Sequence, residues 1–139
     1  MGSVYAEVEL ISADDLALVR KNQLDKDDVK RMRITMLADS GAYMMAINDT
    51  IQQQLDLPLI ENRKAQMADG RVVEYKVVGP ILVKFKNRTA TCNAFVLPGD
   101  SEALLGAIPM EEMDVLIHPL RQELIVNPEH PNYAQLKMK

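Results

Sequence analysis

Apolar and polar side chains alternate along much of this chain. Residues 4–11 have Val, Ala and Leu at the even positions, with Tyr or Glu at positions 5, 7 and 9. Residues 29–37 alternate in a similar way and lead directly into Asp39. A period of two residues is the signal of a half-buried β-strand. The stretch 14–24 is ambiguous, because Leu16–Val19 fits either a short strand or a helical turn.

Turn residues separate the other strand-like runs and predict three hairpins. Asp69-Gly70 is the clearest of these signals, because Asp-Gly between two strand-like runs favours a tight hairpin turn. Lys86–Arg88 and His118-Pro119 mark the other two turns. Leu104–Gly106 predicts a short buried strand that ends in glycine. The predicted strand pairs are 64–67 with 72–78, 80–85 with 89–97, and 115–117 with 123–126.

Helical signals are few and short. Asn48 is a plausible N-cap for a helix over residues 49–55, and Pro109 fits the first turn of a helix that runs through Met113. The sequence shows no internal repeat. Many short strands with turns between them therefore predict an all-β barrel or sandwich with one or two short helices.

The composition narrows the class of protein. A length of 139 residues suits one domain, and 47% hydrophobic residues can supply its core. A formal charge of −4 argues weakly against a nucleic-acid partner, since phosphate binding needs a basic surface. No apolar run reaches the length of a membrane span, the N-terminus lacks the features of a signal peptide, and Cys92 has no second cysteine. We therefore expect a soluble cytoplasmic protein without a membrane partner.

The candidate chemistry lies where the second alternating run ends. There a hydrophobic segment enters the tetrad Asp39-Ser40-Gly41-Ala42. Glycine can adopt backbone angles that a side chain forbids, and the Ser40 hydroxyl can brace a turn by a local hydrogen bond. Asp39 would then be held rigidly at the edge of the core. An ordinary structural turn built around this carboxylate is the plainer alternative.

The order of these parts resembles the retropepsin-like aspartic proteases, the viral enzymes and their small bacterial relatives. The parts are the tetrad after a strand, the hairpin around Asp69-Gly70, and Leu104–Gly106 followed by a short helix. The resemblance covers roughly residues 4–127. It implies an acid-protease closed barrel with one lobe per chain, a protease domain over residues 1–127, and an extended or flexible tail over residues 128–139.

The same resemblance implies hydrolysis of peptide bonds by two copies of the chain, each contributing Asp39 as the catalytic residue. The two carboxylates would activate a water molecule without a metal or another cofactor. Ser40 would bond across the two-fold axis, Gly41 and Ala42 would keep the carboxylates close, and Leu104, Leu105 and Gly106 would pack beside the catalytic loop. The flap that closes over the peptide would comprise Met67, Ala68, Asp69, Gly70, Arg71 and Val72.

Some residues depart from the viral pattern. Ala38 is smaller than the residue that often precedes the catalytic aspartate, and Ala107 stands where the viral enzymes often carry an arginine that supports the dimer. The flap also lacks their additional glycines. Two alternatives to the peptidase therefore remain: a catalytically silent dimer that binds an extended peptide or partner protein, and a purely structural dimer. His118 and His130 are isolated beside prolines, so a zinc site is not expected.

Overall fold

A computed structural model describes residues 2–138. These residues form a mostly β structure with three short α-helices and a 3₁₀ turn at Lys26–Asp28. The elements in chain order are β1 (Val4–Ser12), α1 (Ala13–Arg20), β2 (Arg31–Ala38), β3 (Met45–Asn48), α2 (Asp49–Leu55), β4 (Leu59–Gln66), β5 (Val72–Phe85), β6 (Arg88–Leu97), β7 (Leu104–Leu105), α3 (Ala107–Met113), β8 (Val115–His118) and β9 (Glu123–Val126).

Seven of the strands form one sheet in the order β1-β2-β7-β3-β6-β5-β4, and β1 pairs with β5 as well. Strands β8 and β9 form a separate hairpin. The two-residue strand β7 runs parallel to β2, with Leu104 beside Leu37 and Leu105 beside Ala38, and antiparallel to β3. Strand β7 therefore lies between the strand that enters the Asp39 loop and the strand that leaves it.

The alternation in residues 4–11 and 29–37 reflects strands with one buried face, as predicted. Strand β1 buries Val4, Ala6, Val8 and Leu10 while Tyr5 and Glu7 face solvent. Its antiparallel pairing with β2 sets Val4 opposite Ala38 and Leu10 opposite Met32. The buried apolar side chains of this pair belong to one core that also includes residues of β3, β5, β6 and β7.

All three predicted hairpins are present, but two of their strands are longer than predicted. Strand β4 begins at Leu59, five residues before the predicted start. The runs 72–78 and 80–85 are one continuous strand, β5, whose pairing with β6 shifts register between Val78 and Ile81. Gly79 in this irregularity approaches the opposite strand closely, since a Cβ there would lie 2.7 Å from Asn93 Oδ1.

The ambiguous stretch 14–24 contains helix α1. The Ser12 hydroxyl accepts a hydrogen bond from the Asp15 backbone N–H, and the buried Asp15 carboxylate accepts from the backbone and side chain of Lys30. Helix α2 has its predicted bounds, and Asn48 Oδ1 accepts from Ile51 N–H at 2.9 Å. The described residues thus contain three α-helices, one more than the predicted maximum of two.

Residues beyond Val126 form no helix or strand as far as residue 138, yet several of them bond to the body of the protein. Asp114 accepts hydrogen bonds from Asn127 Nδ2 and Gln135 N–H, and it pairs with His130 Nδ1 at 2.7 Å. These bonds, with the Asn127 amide first, lower the pKa of Asp114 to about 2. Arg88, which is fully buried, donates to the His130 carbonyl. In residues 2–138 no helix is long and apolar enough to cross a membrane.

Candidate active site

The tetrad forms the loop that leaves β2, and backbone hydrogen bonds fix its shape. Asp39 N–H donates to the Leu105 carbonyl at 3.0 Å, which continues the β2–β7 ladder by one residue. Ala42 N–H donates to the Asp39 carbonyl at 3.1 Å and closes the turn. Asp39 is half-buried, whereas Ser40 and Gly41 are exposed. The loop is therefore anchored where it leaves the core and open where it faces solvent.

One oxygen of the Asp39 carboxylate is held and the other is available. Oδ1 accepts a hydrogen bond from Gly41 N–H at 2.9 Å. Within residues 2–138, Oδ2 has no hydrogen-bond partner, and no lysine, arginine or histidine pairs with the carboxylate. The Ser40 hydroxyl takes part in none of the bonds that fix this loop. A carboxylate held by one oxygen keeps a second oxygen free to accept or donate a proton.

Gly106 supports the loop from behind. A Cβ at this position would lie 2.3 Å from the Met44 carbonyl oxygen and 2.8 Å from that of Ala42. The backbone of Gly106 is extended, with φ −89 and ψ −175, so close approach and not an unusual dihedral angle requires glycine here. The next two N–H groups bond to the same loop, from Ala107 to the Ala42 carbonyl at 2.8 Å and from Ile108 to the Tyr43 carbonyl at 3.0 Å.

The tetrad and Leu104–Gly106, which lie far apart in the sequence, are thus brought into direct contact. Leu105 is fully buried beneath the loop, and Leu104 is half-buried beside β2 and β3. The backbone hydrogen bonds that hold the tetrad in place come from β7 and from the start of α3. The position of Asp39 is therefore set by the core.

The tip of the β4–β5 hairpin is a self-contained turn. Met67 N–H donates to the Arg71 carbonyl at 2.7 Å, and Gly70, with φ +89, donates to the Met67 carbonyl at 2.9 Å. The Asp69 carboxylate accepts from Arg71 N–H and from Arg71 Nε. These two bonds, the backbone one first, lower the pKa of Asp69. Within the described chain, the predicted flap residues 67–72 form no hydrogen bond with residues 39–42.

One face of this hairpin points toward the body of the protein, and we call it the inner face: Arg63, Ala65, Val73 and Tyr75. Direct strand partners share a face, and Arg63 pairs with Tyr75 and Ala65 with Val73. The Tyr75 ring packs edge-on against Phe95 with centroids 6.1 Å apart. Sequence reasoning missed this face, although counting in steps of two from the Asp69-Gly70 turn identifies its members.

The inner face reaches the segment that follows the tetrad, at Met44. Arg63 Nη1 lies 3.8 Å from the Met44 sulfur, and Tyr75 Oη lies 3.8 Å from the Met67 sulfur. The middle of the hairpin therefore meets the segment that leaves the tetrad.

Two surface cavities lie outside the immediate surroundings of Asp39. The larger, about 620 Å³, is lined by β1, β2, β9 and the β5–β6 turn. The smaller, about 250 Å³, begins beside the tetrad loop at Tyr43 and Met44 and includes Cys92. Burial, followed by the nearby Glu112 carboxylate, raises the pKa of the Cys92 thiol to about 12. Asp39 lines neither of these two cavities.

Comparison with known families agrees with this arrangement. The model of a family described as aspartyl protease matches residues 25–108, which is well over half of the chain and includes the tetrad, the β4–β5 hairpin and Leu104–Gly106. The chain belongs to the aspartyl protease family, and the resemblance drawn from its sequence is confirmed. No curated protein matches the chain at a significant level.

Proposed function

We propose that this protein is an aspartic endopeptidase that acts as a homodimer. The observation that carries the proposal is the Asp39 carboxylate, fixed through Oδ1 to Gly41 N–H while Oδ2 has no partner among residues 2–138. Membership of the aspartyl protease family supports the same activity. The substrate would be a peptide or protein, and the reaction would need no metal or other cofactor.

The proposed site needs two carboxylates, and one chain supplies one tetrad. A two-fold axis places a residue opposite its own copy, so two chains can bring two Asp39 side chains together. Adjacent carboxylates cannot both ionise easily and share one proton. The ionised one would take a proton from a water molecule, and the protonated one would donate a hydrogen bond to the scissile carbonyl. Because the proposed reaction would need one ionised and one protonated carboxylate, we expect a bell-shaped dependence of activity on pH.

The surroundings of Asp39 would support this pair. Ser40 and Gly41 are exposed and would face the second copy, with the Ser40 hydroxyl bonding across the axis. Gly41 and Ala42 would keep the two carboxylates close, and Leu104, Leu105 and Gly106 would pack beside the loop. The turn Met67–Val72 would close over a bound peptide and exclude water. We also propose that the sheet has the closed-barrel form of acid proteases, because β1 pairs with both β2 and β5, and that residues 1–127 are the protease domain.

The decisive experiment compares the wild type with Asp39→Asn on a diverse peptide mixture, from acid to neutral pH, with fragments identified by mass. The substitution keeps the size of the side chain and removes its ionisable group. We expect cleavage by the wild type and none by Asp39→Asn.

Asp56→Asn is the matched control. Asp56 ends α2 in a left-handed conformation with φ +49, which Asn adopts readily, and its side chain is exposed. This variant makes the same change of charge away from the site and should cleave like the wild type. Equal cleavage by the wild type and Asp39→Asn would refute the proposal.

A catalytically silent peptide-binding dimer is the alternative function, and strand β4 favours it. This strand is an edge of the sheet, it pairs with β5 alone among the described strands, and residues 59–64 are exposed. An extended peptide can add to such an edge by main-chain hydrogen bonds. Binding of peptides without cleavage by either the wild type or Asp39→Asn would support this alternative.

A further inference from the structure

We propose that Arg63 selects substrates by binding an acidic side chain of the peptide beside the tetrad loop. This inference rests on the proposed peptidase function and names a preference of that same site. It starts from the inner face of the β4–β5 hairpin, the face that would lie over a peptide held beneath the flap.

Strand alternation gives Arg63 and its neighbour Lys64 opposite directions. Arg63 pairs with Tyr75, which packs against Phe95 of the body, and so belongs to the inner face. Lys64 pairs with Glu74 and so belongs to the outer face, while Arg63, Lys64 and Glu74 are all exposed. Arg63 and Lys64, two adjacent cations on β4, therefore lie on opposite faces of the hairpin.

The Arg63 guanidinium lies close to the segment that leaves the tetrad. Its Nη1 is 3.8 Å from the sulfur of Met44, two residues beyond Ala42. The Met44 carbonyl is in turn packed against Gly106, directly behind the loop that carries Asp39. A peptide that extends along the tetrad loop would pass this guanidinium.

The charge of Arg63 has no carboxylate partner among residues 2–138. Arg31, Arg71 and Arg121 each pair with a glutamate or aspartate. Arg63, like Arg20 and Arg33, forms no ion pair among the described residues, and it contacts a thioether sulfur instead. A thioether is a weak acceptor, so it orients the guanidinium without satisfying its five donors. A carboxylate would replace this contact at little cost.

The geometry of the guanidinium explains why an acidic side chain is the favoured ligand. Its parallel N–H groups match the two oxygens of a carboxylate, and bonds between charged partners are stronger than neutral ones. Closure of a flap would remove water from the pair and strengthen it further. We therefore expect about a tenfold preference for Glu over Gln at one substrate position.

The test uses a peptide that the wild type cleaves, resynthesised with Glu, Gln or Lys at each position in turn. The ratio of kcat/KM for Glu over Gln is measured for the wild type, Arg63→Gln and Lys64→Gln. We expect a preference for Glu at one position in the wild type and in Lys64→Gln, and its loss in Arg63→Gln. Arg63→Glu should favour Lys at that position instead.

Three results would overturn the inference: no preference for Glu in the wild type, an equal loss in both glutamine variants, or an unchanged preference in Arg63→Gln. If the wild type cleaves no peptide, the peptidase proposal fails separately. The inference about Arg63 is then tested by binding. The affinities of the protein for a Glu-rich and a Gln-rich pool of random fluorescent peptides are compared. Tighter binding of the Glu-rich pool that depends on Arg63 but not on Lys64 would support the inference, and equal binding of the two pools would contradict it.

Discussion

Replacing Gly106 by Ala tests whether close backbone packing holds the catalytic loop. The new methyl group would lie 2.3 Å from the Met44 carbonyl oxygen, 2.8 Å from the Ala42 carbonyl oxygen and 2.9 Å from the Met44 carbonyl carbon. All three atoms belong to the backbone, so no side-chain rotation can relieve the overlap. Either the loop that carries Asp39 or the start of α3 must move.

The size of the effect follows from this geometry. Inserting a methyl group into a packed site costs about 1–3 kcal/mol when side chains can adjust, and we expect the upper end of this range where only backbone can move. For a domain of this size, that corresponds to a fall in Tm of about 10 °C. Displacement of the loop should also lower peptidase activity, because a misplacement of about 1 Å can cost about a hundredfold in rate.

Gly99→Ala separates this overlap from the general cost of replacing glycine. Gly99 has φ +59, and a Cβ there would have no neighbour within 4 Å. The substitution should cost about 1 kcal/mol through the left-handed backbone alone and leave activity unchanged. Urea and thermal unfolding, with activity on one peptide, measure all three proteins. A Gly106→Ala variant as stable and as active as Gly99→Ala would refute the reasoning.

Three further predictions concern elements around the site. Asn48→Ala removes the N-cap bond of α2 and should lower the free energy of unfolding in urea by about 1 kcal/mol; an unchanged midpoint would contradict the role of the cap. Asp114 has a folded pKa lowered from 3.8 to about 2, so its contribution to stability should be present at neutral pH and disappear as the pH falls from about 4 to about 2. Asp114→Asn should therefore be less stable than the wild type at pH 6 and approach it near pH 2, and a difference that stays constant over this range would contradict the assignment. Cys92 is half-buried and its thiol pKa is raised to about 12, so it should react with a disulfide reagent at pH 8 much more slowly in the native protein than in urea, and equal rates would show that the thiol is not protected.

The sequence predicted best those elements whose signals are local. Asn48 identified the start of α2 because a capping side chain acts within three residues. Asp69-Gly70 identified the hairpin because the turn depends on the conformations of its own residues. The contact between the tetrad and Leu104–Gly106 is not local, and it was expected through the family resemblance.

Features that depend on tertiary packing were not predicted. Helix α1 is stabilised in part by Asp15, whose carboxylate is bonded to Lys30 fifteen residues later, and alternation of apolar residues carries no information about that contact. The dipeptide Gly79-Pro80 predicts the end of a strand. Strand β5 nevertheless continues through it, because β5 pairs with β6 on both sides of the irregularity. Arg63 went unnoticed because its role depends on which face of the hairpin meets the body.

The central claim is that one active site is shared by two chains, and mixing active with inactive copies tests it most directly. A fixed amount of wild type is refolded together with a ninefold excess of Asp39→Asn and, separately, with the same excess of Asp56→Asn. If random pairing puts most wild-type chains into dimers with one functional carboxylate, Asp39→Asn should reduce activity to about one tenth, whereas Asp56→Asn should raise it. Activity that is unchanged by excess Asp39→Asn would show that each chain acts alone and would contradict the account.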